Sequence, residues 1–579
     1  MTLRICLVTP FSWSQPHDVN EHVAGVAGEL RELGHRVTVL APSGHAADLL
    51  AGRRALLDDD LSDAEVIAVG PAIPISRRSS MGVPVGARAN LAISLAKGRF
   101  DVVHGVEPGL PSLSYLALRD APSLAVATFF SSERLGYPPG RAQRARLLGR
   151  VDALLATSAE TAREASERFP GDYRVISAGV DAELFHPTEK RDRIVVEWRP
   201  DERPLARGVL RLLRHLSDWE IVLLRTKPLS GRPSIPAALR RRAHVRTARN
   251  GAARATLLNE TSIFVPAPGG LRRVALEAAA AGAAIVSPPG VAEQPELAAA
   301  GVARLIENGE LRRKLGEKAR REAEGQTFAR VAGELDELYT GLGRRRRGPR
   351  RVTDPLGDRD WVVCDLHMHT SWSWDCSTNV DELLDHAEAE GLGAIAITDH
   401  NAFGGALEAI ELARGRPLTV IPGEEVKTDR HGEVIGLFLS SEIPRGMSFA
   451  DTIQAIRGQG GLVYLPHPFD RMHAVPDAAT LHRHLADIDV FEVYNAKLLF
   501  DANNDEALRF ARKYNLTMGA GSDAHVLQGI GTGALRMRAF EGPEEFLMSL
   551  RSAEILRRPK SLVFLQSLKW MAQAKERVR

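Results

Sequence analysis

The chain has 579 residues, of which 44% are hydrophobic and 26% are charged, and its net charge is only +2. This length predicts about three or four domains, and the near-neutral charge gives no strong signal for a nucleic-acid partner. Three cysteines cannot form a disulfide framework, and no apolar run approaches the ~18 residues of a membrane span. We therefore expect a soluble, cytoplasmic protein.

The first 340 or so residues alternate short apolar segments with amphipathic ones. ICLVTP is followed by the helical pattern NEHVAGVAGELRELG and by RVTVLAP, and FDVVHG, LAVATFF and DALLATS continue the series. A second series starts near Arg193 with RIVVEW, WEIVLLRT, SIFVPA and AAIVSPP. Short apolar strands separated by helices are typical of parallel sheets covered on both faces. We predict an α/β fold with two doubly wound, Rossmann-like domains, residues 1–185 and 186–342, and a cleft between them.

A break in composition follows these domains. It reads GRRRRGPRRVTDPLGDRD, and six of the eight residues from Arg344 to Arg351 are arginine. Like charges repel one another, and glycine and proline disfavour regular structure, so we predict an exposed linker over residues 343–361. The alternative is a basic patch that binds phosphates or RNA.

From Trp361 onward the apolar segments end in polar residues. WVVCDLHMHT, GAIAITDHN, LTVIPGEEV, GLVYLPHPF, DVFEVYNA and NLTMGAGSDAH each carry polar side chains at the carboxyl end. In α/β barrels the loops at that end converge on one mouth, where ligands bind. Residues 362–579 are therefore predicted to form a further α/β domain with its functional site at that mouth.

Side chains at these strand ends form a predicted metal site. His367 and His369 alternate across one residue, so both imidazoles point to one face of an extended strand, and Asp523 and His525 do the same. Imidazole and carboxylate ligands suit zinc, manganese or iron. A lone histidine at a strand end is more often a hydrogen-bonding residue, but the complete set favours a metal. Its members are His367, His369, Asp375, His400, Glu425, His467, Asp523 and His525.

The motifs DLHMHT, ITDHN, PGEE, LPHPF and GSDAH, in this order, resemble those of the PHP (polymerase and histidinol phosphatase) superfamily. The resemblance implies a distorted (β/α)7 barrel with a trinuclear metal centre. It assigns the first ion to His367, His369, Glu425 and Asp523, the second to Glu425 and His467, and the third to Asp375, His400 and His525. Many members have another histidine on the strand after the glutamate, and here Glu433 stands near that position, with His431 two residues earlier.

Such a centre predicts the hydrolysis of a small phosphorylated substrate. Clustered divalent ions supply hydroxide near neutral pH and neutralise charge on phosphate oxygens. Arg471, in HPFDR, is a candidate to clamp a phosphate bidentately, or else a surface partner of Asp470. Lys427 and Lys497 are weaker candidates of the same kind. An amide carbonyl is open to the same attack, so hydrolysis is better supported than the type of ester.

In the first two-thirds of the chain, LVTPFSWSQPHDVNEHVAGVAGELRELGHRVTVLAPS, FDVVHGVEPGLPSLSYLAL, SAGVDAELFHP and VALEAAAAGAAIV resemble segments of family-4 retaining glycosyltransferases. The likeness is strongest to phosphatidylinositol mannosyltransferase-like enzymes, which have the GT-B fold. It implies a cleft for a nucleotide-sugar, with Arg199, Arg207 and Glu277 as its candidate binding residues.

Several positions depart from that family's pattern. His17 and Asp18 stand where a Gly-Gly turn lets the backbone approach the substrate, and Phe130 stands where a pocket histidine is expected. The Glu-x7-Glu pair near the donor sugar keeps Glu277 but has Gly269 in place of its partner. These changes remove charge and hydrogen bonds from the departing nucleotide. We therefore expect a degenerate module that binds a nucleotide-sugar, a phospholipid head group or a glycan phosphate.

The chain ends in RRPKSLVFLQSLKWMAQAKERVR, where lysine and arginine residues flank Leu562, Leu565, Leu568 and Trp570. This pattern fits a final helix packed on the barrel, or a basic amphipathic helix lying on the inner face of an anionic membrane. The membrane alternative would suit a lipid-linked substrate.

Three other functions stay open at this point. The chain could be a bifunctional glycosyltransferase and hydrolase, a nuclease or nucleotide phosphatase of the PHP type, or a non-catalytic scaffold. The near-neutral charge and the lack of interleaved aromatic residues argue against long nucleic-acid polymers.

Overall fold

The structure, a computed structural model, describes residues 2–558 and 567, apart from 16, 58–60, 62–63, 77–78, 83, 132–133, 199–202, 217, 226–232, 249, 268–271, 287–293, 295, 345–353, 471 and 473. Three residues singled out in the sequence lie outside this set: Arg199, Gly269 and Arg471. The expected basic helix at the end of the chain lies outside it as well. The chain divides into two compact units, residues 1–343 and 344–579.

In the described part of the first unit, eight strands form one sheet. They are β1 (Arg4–Val8), β2 (Arg36–Ser43), β3 (Val66–Ser76), β4 (Ser79–Gly82), β5 (Val102–Val106), β6 (Leu124–Phe129), β7 (Ala153–Ala156) and β8 (Tyr173–Val175). The helices are α1 (Asp18–Glu32), α2 (Ala46–Ala55), α3 (Pro84–Gly98), α4 (Leu113–Asp120), α5 (Arg141–Leu148) and α6 (Ala159–Arg168). The strand order in the sheet is β4-β3-β2-β1-β5-β6-β7-β8. Neighbouring strands are parallel except for β3 and β4, which are antiparallel.

The same unit contains a second parallel sheet, with the order β11-β10-β9-β12-β13. Ile194, Val195 and Val196 are fully buried, as expected of a strand covered on both faces. The two doubly wound sheets confirm the predicted Rossmann-like fold. The strands are β9 (Arg191–Glu197), β10 (Glu220–Arg225), β11 (Ala243–Thr247), β12 (Thr261–Val265) and β13 (Ala284–Ile285). The helices are α7 (Arg203–Leu212), α8 (Gly251–Leu258), α9 (Arg272–Ala280), α10 (Glu296–Glu307), α11 (Gly309–Glu324) and α12 (Phe328–Gly343).

The last helix of this unit, α12, returns to the first sheet and packs beside α1. Gly25 of α1 leaves room for the ring of Phe328, since a Cβ at that position would lie 2.6 Å from a ring carbon. The Tyr339 hydroxyl hydrogen-bonds with Nδ1 of the buried His104 at 2.6 Å. Helix α12 therefore belongs to the core of the first half, although it follows the second half in sequence.

In the second unit, nine strands of the described chain form one sheet. They are β14 (Trp361–Met368), β15 (Ala394–Ile397), β16 (Thr419–Lys427), β17 (Glu433–Leu437), β18 (Leu462–Leu465), β19 (Val490–Asn495), β20 (Met518–Gly521), β21 (Gly533–Arg538) and β22 (Glu554–Arg557). The helices are α13 (Val380–Ala389), α14 (Gly404–Leu412), α15 (Phe449–Gly458), α16 (Ala478–Arg483), α17 (Asp501–Tyr514) and α18 (Gly542–Ser549). The order is β20-β19-β18-β17-β16-β15-β14-β21-β22.

Seven of these strands, β14 to β20, form a nearly closed ring. The segment after β20 returns to the end of β14, where Met368 and Ala524 form a bridge and the Asp523 amide donates to the His367 carbonyl at 2.7 Å. The other half of β14 pairs antiparallel with β21. Strand β17 is antiparallel to both of its neighbours, whereas the other pairs within β14–β16 and β18–β20 are parallel. This ring is the distorted barrel that the PHP resemblance implies.

Part of the segment predicted as a linker contacts the second unit. Asp354 accepts a hydrogen bond from Nε of Arg538 at 2.9 Å, and Arg359 pairs with Glu545 at 3.0 Å. Among the helices of the described residues, none is long and apolar enough to cross a membrane.

Candidate metal centre

The eight predicted ligands come from the strand ends of the barrel and from the loops that follow. His367 lies in β14 and His369 follows it, and Glu425 lies near the end of β16. The remaining members follow strands: Asp375 is in the loop after β14, His400 follows β15, His467 follows β18, and Asp523 and His525 follow β20. All of these strand ends face the same mouth because the strands concerned run in one direction around the ring.

Glu425 lies at the centre of this group and is fully buried. Its carboxylate oxygens lie 3.3 Å from Nε2 of His367 and 3.4 Å from Nε2 of His369. They also lie 3.1 Å from Nδ1 of His400 and 3.1 Å from Nε2 of His467. One carboxylate within 3.4 Å of four imidazoles is the arrangement expected of a ligand that bridges two ions.

Two further carboxylates flank Glu425. Oδ1 of Asp523 lies 3.3 Å from Nε2 of His369. Oδ2 of Asp375 lies 3.0 Å from Nε2 of His525, and its Oδ1 lies 3.8 Å from Nε2 of His400. The structure therefore brings all eight predicted side chains into one contiguous cluster.

Three of the imidazoles are oriented by hydrogen bonds at Nδ1. Nδ1 of His367 lies 3.1 Å from the Glu492 carboxylate, Nδ1 of His369 lies 3.2 Å from the Ser373 hydroxyl, and Nδ1 of His525 lies 3.0 Å from the Asp523 carbonyl. A proton on Nδ1 leaves the lone pair on Nε2, which faces the cluster in each case. Such outer hydrogen bonds are characteristic of metal-binding histidines.

The backbone at two of these positions adopts an uncommon conformation. His467 has a φ of 26° and Asp523 a φ of 52°, in the left-handed region that disfavours residues with a Cβ. Strained residues of this kind cluster at functional sites, where the surrounding structure holds them.

The carboxylates and imidazoles have strongly shifted pKa values. Burial opposes ionisation of Glu425, but His367 and His400 hold the pKa of its carboxyl well below the usual value. Burial and the neighbouring His525 hold the pKa of His369 well below its usual value. Burial also opposes protonation of His367, yet Asp523 and Glu425 raise its pKa well above the usual value.

The chemistry of these residues fits a group of divalent ions. Nε2 of His369 is buried and makes no hydrogen bond within the described part of the chain. The ligand atoms of His367, His369 and Glu425 lie within 4.8 Å of one another, and so do those of His369, His400 and His525. Ions about 2.0–2.2 Å from each ligand atom can be shared across such spans. Coordination would also remove the free-energy cost of the unsatisfied buried nitrogen.

Glu492 is a site residue that the sequence analysis did not single out. Its buried carboxylate bonds with Nδ1 of His367 and accepts from the Tyr464 hydroxyl at 2.8 Å and from the His467 amide at 2.6 Å. The signal in the sequence is that Glu492 is the single charged residue inside the apolar strand VFEVYN. Glu492 thereby holds two predicted ligands from one position.

Replacing Glu492 by glutamine is expected to weaken metal binding about 10–100-fold, because the amide cannot stabilise the Nδ1 proton of His367 as a carboxylate does. Calorimetric titration of metal-stripped protein with Mn²⁺ measures this change. The exposed Glu411→Gln variant is the control and should bind as the unaltered chain does. Equal affinities for all three proteins would contradict the role of Glu492.

The two described candidates for phosphate binding, Lys427 and Lys497, differ in their contact with the cluster. Nζ of the half-buried Lys497 lies 2.9 Å from Oδ1 of Asp523 and 3.3 Å from Nδ1 of His525, at the edge of the cluster. Lys427 is exposed at the end of β16. The structure therefore places one described cation, Lys497, against the predicted ligands.

In the first unit, Glu277 is buried in a group that we call the Arg254 cluster: Glu21, Arg254, Arg273 and Glu277. Arg254 donates to Glu277 through Nε at 2.5 Å and Nη2 at 2.7 Å, and Nε of Arg273 lies 3.1 Å from Glu277. Glu21, on α1, lies 2.6 Å from Arg254 and 2.9 Å from Arg273. Two arginines and two glutamates therefore connect the two halves of this unit.

Three residues that depart from the glycosyltransferase pattern, His17, Asp18 and Phe130, make contacts within the first unit. His17 caps the first turn of α1, and Arg273 donates to the Asp18 carbonyl at 3.0 Å. Phe130 packs edge-on against the buried His22, with ring centroids 4.8 Å apart. Arg207 is exposed on α7, and no hydrogen bond or ion pair among the described residues joins it to the Arg254 cluster.

Comparison with known proteins identifies both units. Residues 365–514 match the PHP domain, residues 501–555 match the PHP-associated family, and residues 19–184 match Glycosyltransferase Family 4. Two uncharacterized proteins of Methanocaldococcus jannaschii are similar to the chain. One is 34% identical over 212 residues, which cover 34% of this chain and 84% of that protein. The other is 37% identical over 147 residues, which cover 23% of this chain and 82% of that protein.

The chain carries a PHP domain and, ahead of it in the sequence, a Glycosyltransferase Family 4 domain. A phosphatidyl-myo-inositol mannosyltransferase of Propionibacterium freudenreichii subsp. shermanii is 31% identical over 211 residues, 35% of this chain and 52% of that enzyme. The chain thus spans about half the length of this relative. Both resemblances expected from the sequence are confirmed.

Proposed function

We propose that the second unit is a metal-dependent phosphoesterase that hydrolyses a small phosphorylated substrate at a trinuclear centre. The observation that supports this proposal is the convergence of eight imidazole and carboxylate side chains into one cluster, with Glu425 at its centre. The match of residues 365–514 to the PHP domain supports the same class of reaction.

The residues divide among three ions as the family resemblance implies. The first ion is assigned to His367, His369, Glu425 and Asp523, the second to Glu425 and His467, and the third to Asp375, His400 and His525. When bound, zinc, manganese or iron ions supply hydroxide near neutral pH and neutralise charge on the phosphate.

The side chains of the protein then have separate tasks. Glu492 keeps the proton of His367 on Nδ1, so that Nε2 stays directed at the centre. Ser373 does the same for His369, and it is held in turn by a hydrogen bond to Asp399 at 2.7 Å. Lys497 adds a positive charge at the edge of the cluster, where a phosphate oxygen can accept a hydrogen bond.

For the first unit, the Arg254 cluster supports a binding role rather than sugar transfer. Glu277 is the remaining member of the family's glutamate pair, and its two carboxylate oxygens are engaged by Arg254 and Arg273. A nucleotide-sugar would have to displace an arginine to use this carboxylate. We propose that this module binds a nucleotide-sugar, a lipid head group or a glycan phosphate.

Metal removal is the direct test of the proposed activity. Chelation followed by desalting should abolish phosphate release from p-nitrophenyl phosphate, and added Mn²⁺ or Zn²⁺ should restore it. Chelation should also lower the unfolding temperature of the second unit, because at 100 times the dissociation constant each bound ion contributes about 2.7 kcal/mol to the folded state. Elemental analysis should find about three ions per chain.

The choice of substrate separates this proposal from its alternatives. A panel of glycan phosphates, nucleoside 3′- and 5′-phosphates and lipid-linked phosphates distinguishes a general phosphatase from a nucleotide-specific one. Sugar transfer from a nucleotide-sugar to a lipid acceptor, lost on Glu277→Ala, would establish the bifunctional alternative. Phosphate release that persists in metal-free protein would refute the proposed centre.

A further inference from the structure

Glu433 is the first residue of β17, the antiparallel strand of the barrel. It pairs directly with Lys427 in β16, and Ile435 pairs with Glu425 two positions further along the ladder. Opposed residues and every second residue of a strand share one face of a sheet. Glu433 therefore lies on the same face as Glu425, and Ile435 and Leu437 on that face are buried in the barrel core.

The carboxylate of Glu433 approaches two predicted ligands without bonding to either. Oε1 lies 3.9 Å from Nδ1 of His400, and Oε2 lies 3.8 Å from Nε2 of His467. Both distances are too long for a hydrogen bond. The side chain is 18% exposed, and no hydrogen bond to its carboxylate is found among the residues the structure describes.

These distances match those between two ligands of one ion. Ligand atoms about 2.1 Å from a shared ion lie about 3–4 Å apart at ordinary coordination angles. The ligand atoms of His400, Glu425 and Glu433 lie within 4.8 Å of one another. Oε1 of Glu425 also lies 3.1 Å from Nε2 of His467, and Oε2 of Glu433 lies 3.8 Å from the same nitrogen, so these three side chains have the spacing of ligands that share one ion.

We infer that Glu433 is a ligand of the second ion, together with Glu425 and His467. This inference rests on the proposed metal centre. It adds a third ligand to the second ion, to which only Glu425 and His467 were assigned. At the position where many PHP members carry an imidazole, this chain would supply a carboxylate. Carboxylate oxygen favours Mn²⁺ over Zn²⁺ relative to imidazole, so the preference of the second site is expected to shift toward Mn²⁺.

Two substitutions of Glu433 test the assignment in the full-length protein by metal binding alone. Glu433→Gln keeps the shape of the side chain and removes its charge, and it should weaken one Mn²⁺ site about tenfold or more while the other ions stay bound. Glu433→His should restore three ions but raise the ratio of bound Zn²⁺ to Mn²⁺ about tenfold in competition. Elemental analysis and Mn²⁺ titration measure both effects.

The exposed Glu442→Gln variant, in the segment after β17, is the matched control and should bind metals as the unaltered chain does. Circular dichroism confirms that each variant is folded. Three ions of unchanged affinity and unchanged Zn²⁺/Mn²⁺ ratio in both Glu433 variants would overturn this inference and leave the phosphoesterase proposal standing. An unaltered chain that binds no ions would overturn both.

Discussion

Replacing Glu425 by glutamine is expected to reduce phosphatase turnover by on the order of 10³-fold. Glutamine fills the same space but removes the charge that four imidazoles surround at 3.1–3.4 Å. Two of the proposed ions lose a shared ligand, so both the attacking hydroxide and the charge neutralisation are impaired. Steady-state turnover of p-nitrophenyl phosphate, measured together with bound metal, gives the size of the loss.

The neighbouring residue supplies the control for this experiment. Glu424 is also fully buried, but it alternates to the other face of β16 and accepts a hydrogen bond from the Ile443 amide at 2.8 Å. Glu424→Gln should keep turnover within about twofold, because it touches none of the predicted ligands. A similar loss in both variants would point to damaged folding, and full turnover in Glu425→Gln would rule out this site.

Replacing Arg254 by methionine is expected to destabilise the first unit by about 3–5 kcal/mol. Arg254 is 5% exposed and is shared by Glu277 and Glu21, so its removal leaves buried carboxylates with one remaining arginine. For a unit of this size the loss corresponds to a fall of about 4–7 °C in unfolding temperature. Scanning calorimetry of the full chain should show this fall in one transition, with the metal-dependent transition unmoved.

Two control experiments distinguish the effect of removing a buried, paired charge from the effect of removing any arginine. Arg211→Met, on an exposed site of α7, should change the stability by no more than about 0.5 kcal/mol. The double variant Arg254→Met with Glu277→Met should be less destabilised than the sum of its single variants, because it leaves one arginine facing one glutamate. If the losses of stability in the two single variants add up to that of the double variant, Arg254 and Glu277 are not energetically coupled.

The sequence allowed the members of the cluster around Glu425 to be predicted because the signals for them are local. Two pairs, His367 with His369 and Asp523 with His525, alternate across one residue. The order of apolar strands and helices predicted the doubly wound domains for the same reason. Each of these patterns extends over a few neighbouring positions.

The residues that sequence analysis missed depend on contacts between distant segments. Glu492 reaches His367 only because β20 closes the ring beside β14. Glu21 and Arg254 are 233 positions apart, and their pairing follows from how the two halves meet. The antiparallel direction of β17, which turns Glu433 toward the ligands, is likewise set by its neighbours in the sheet.

Helix α12 determines when the first sheet can be completed during synthesis. The ring of Phe328 fills the space above Gly25, and Tyr339 supplies the partner of His104, which lies in the middle of that sheet. A ribosome that has released only the first 185 residues has not yet exposed these side chains. We therefore expect the core of the amino-terminal half to be completed only after Gly343 has emerged from the ribosome.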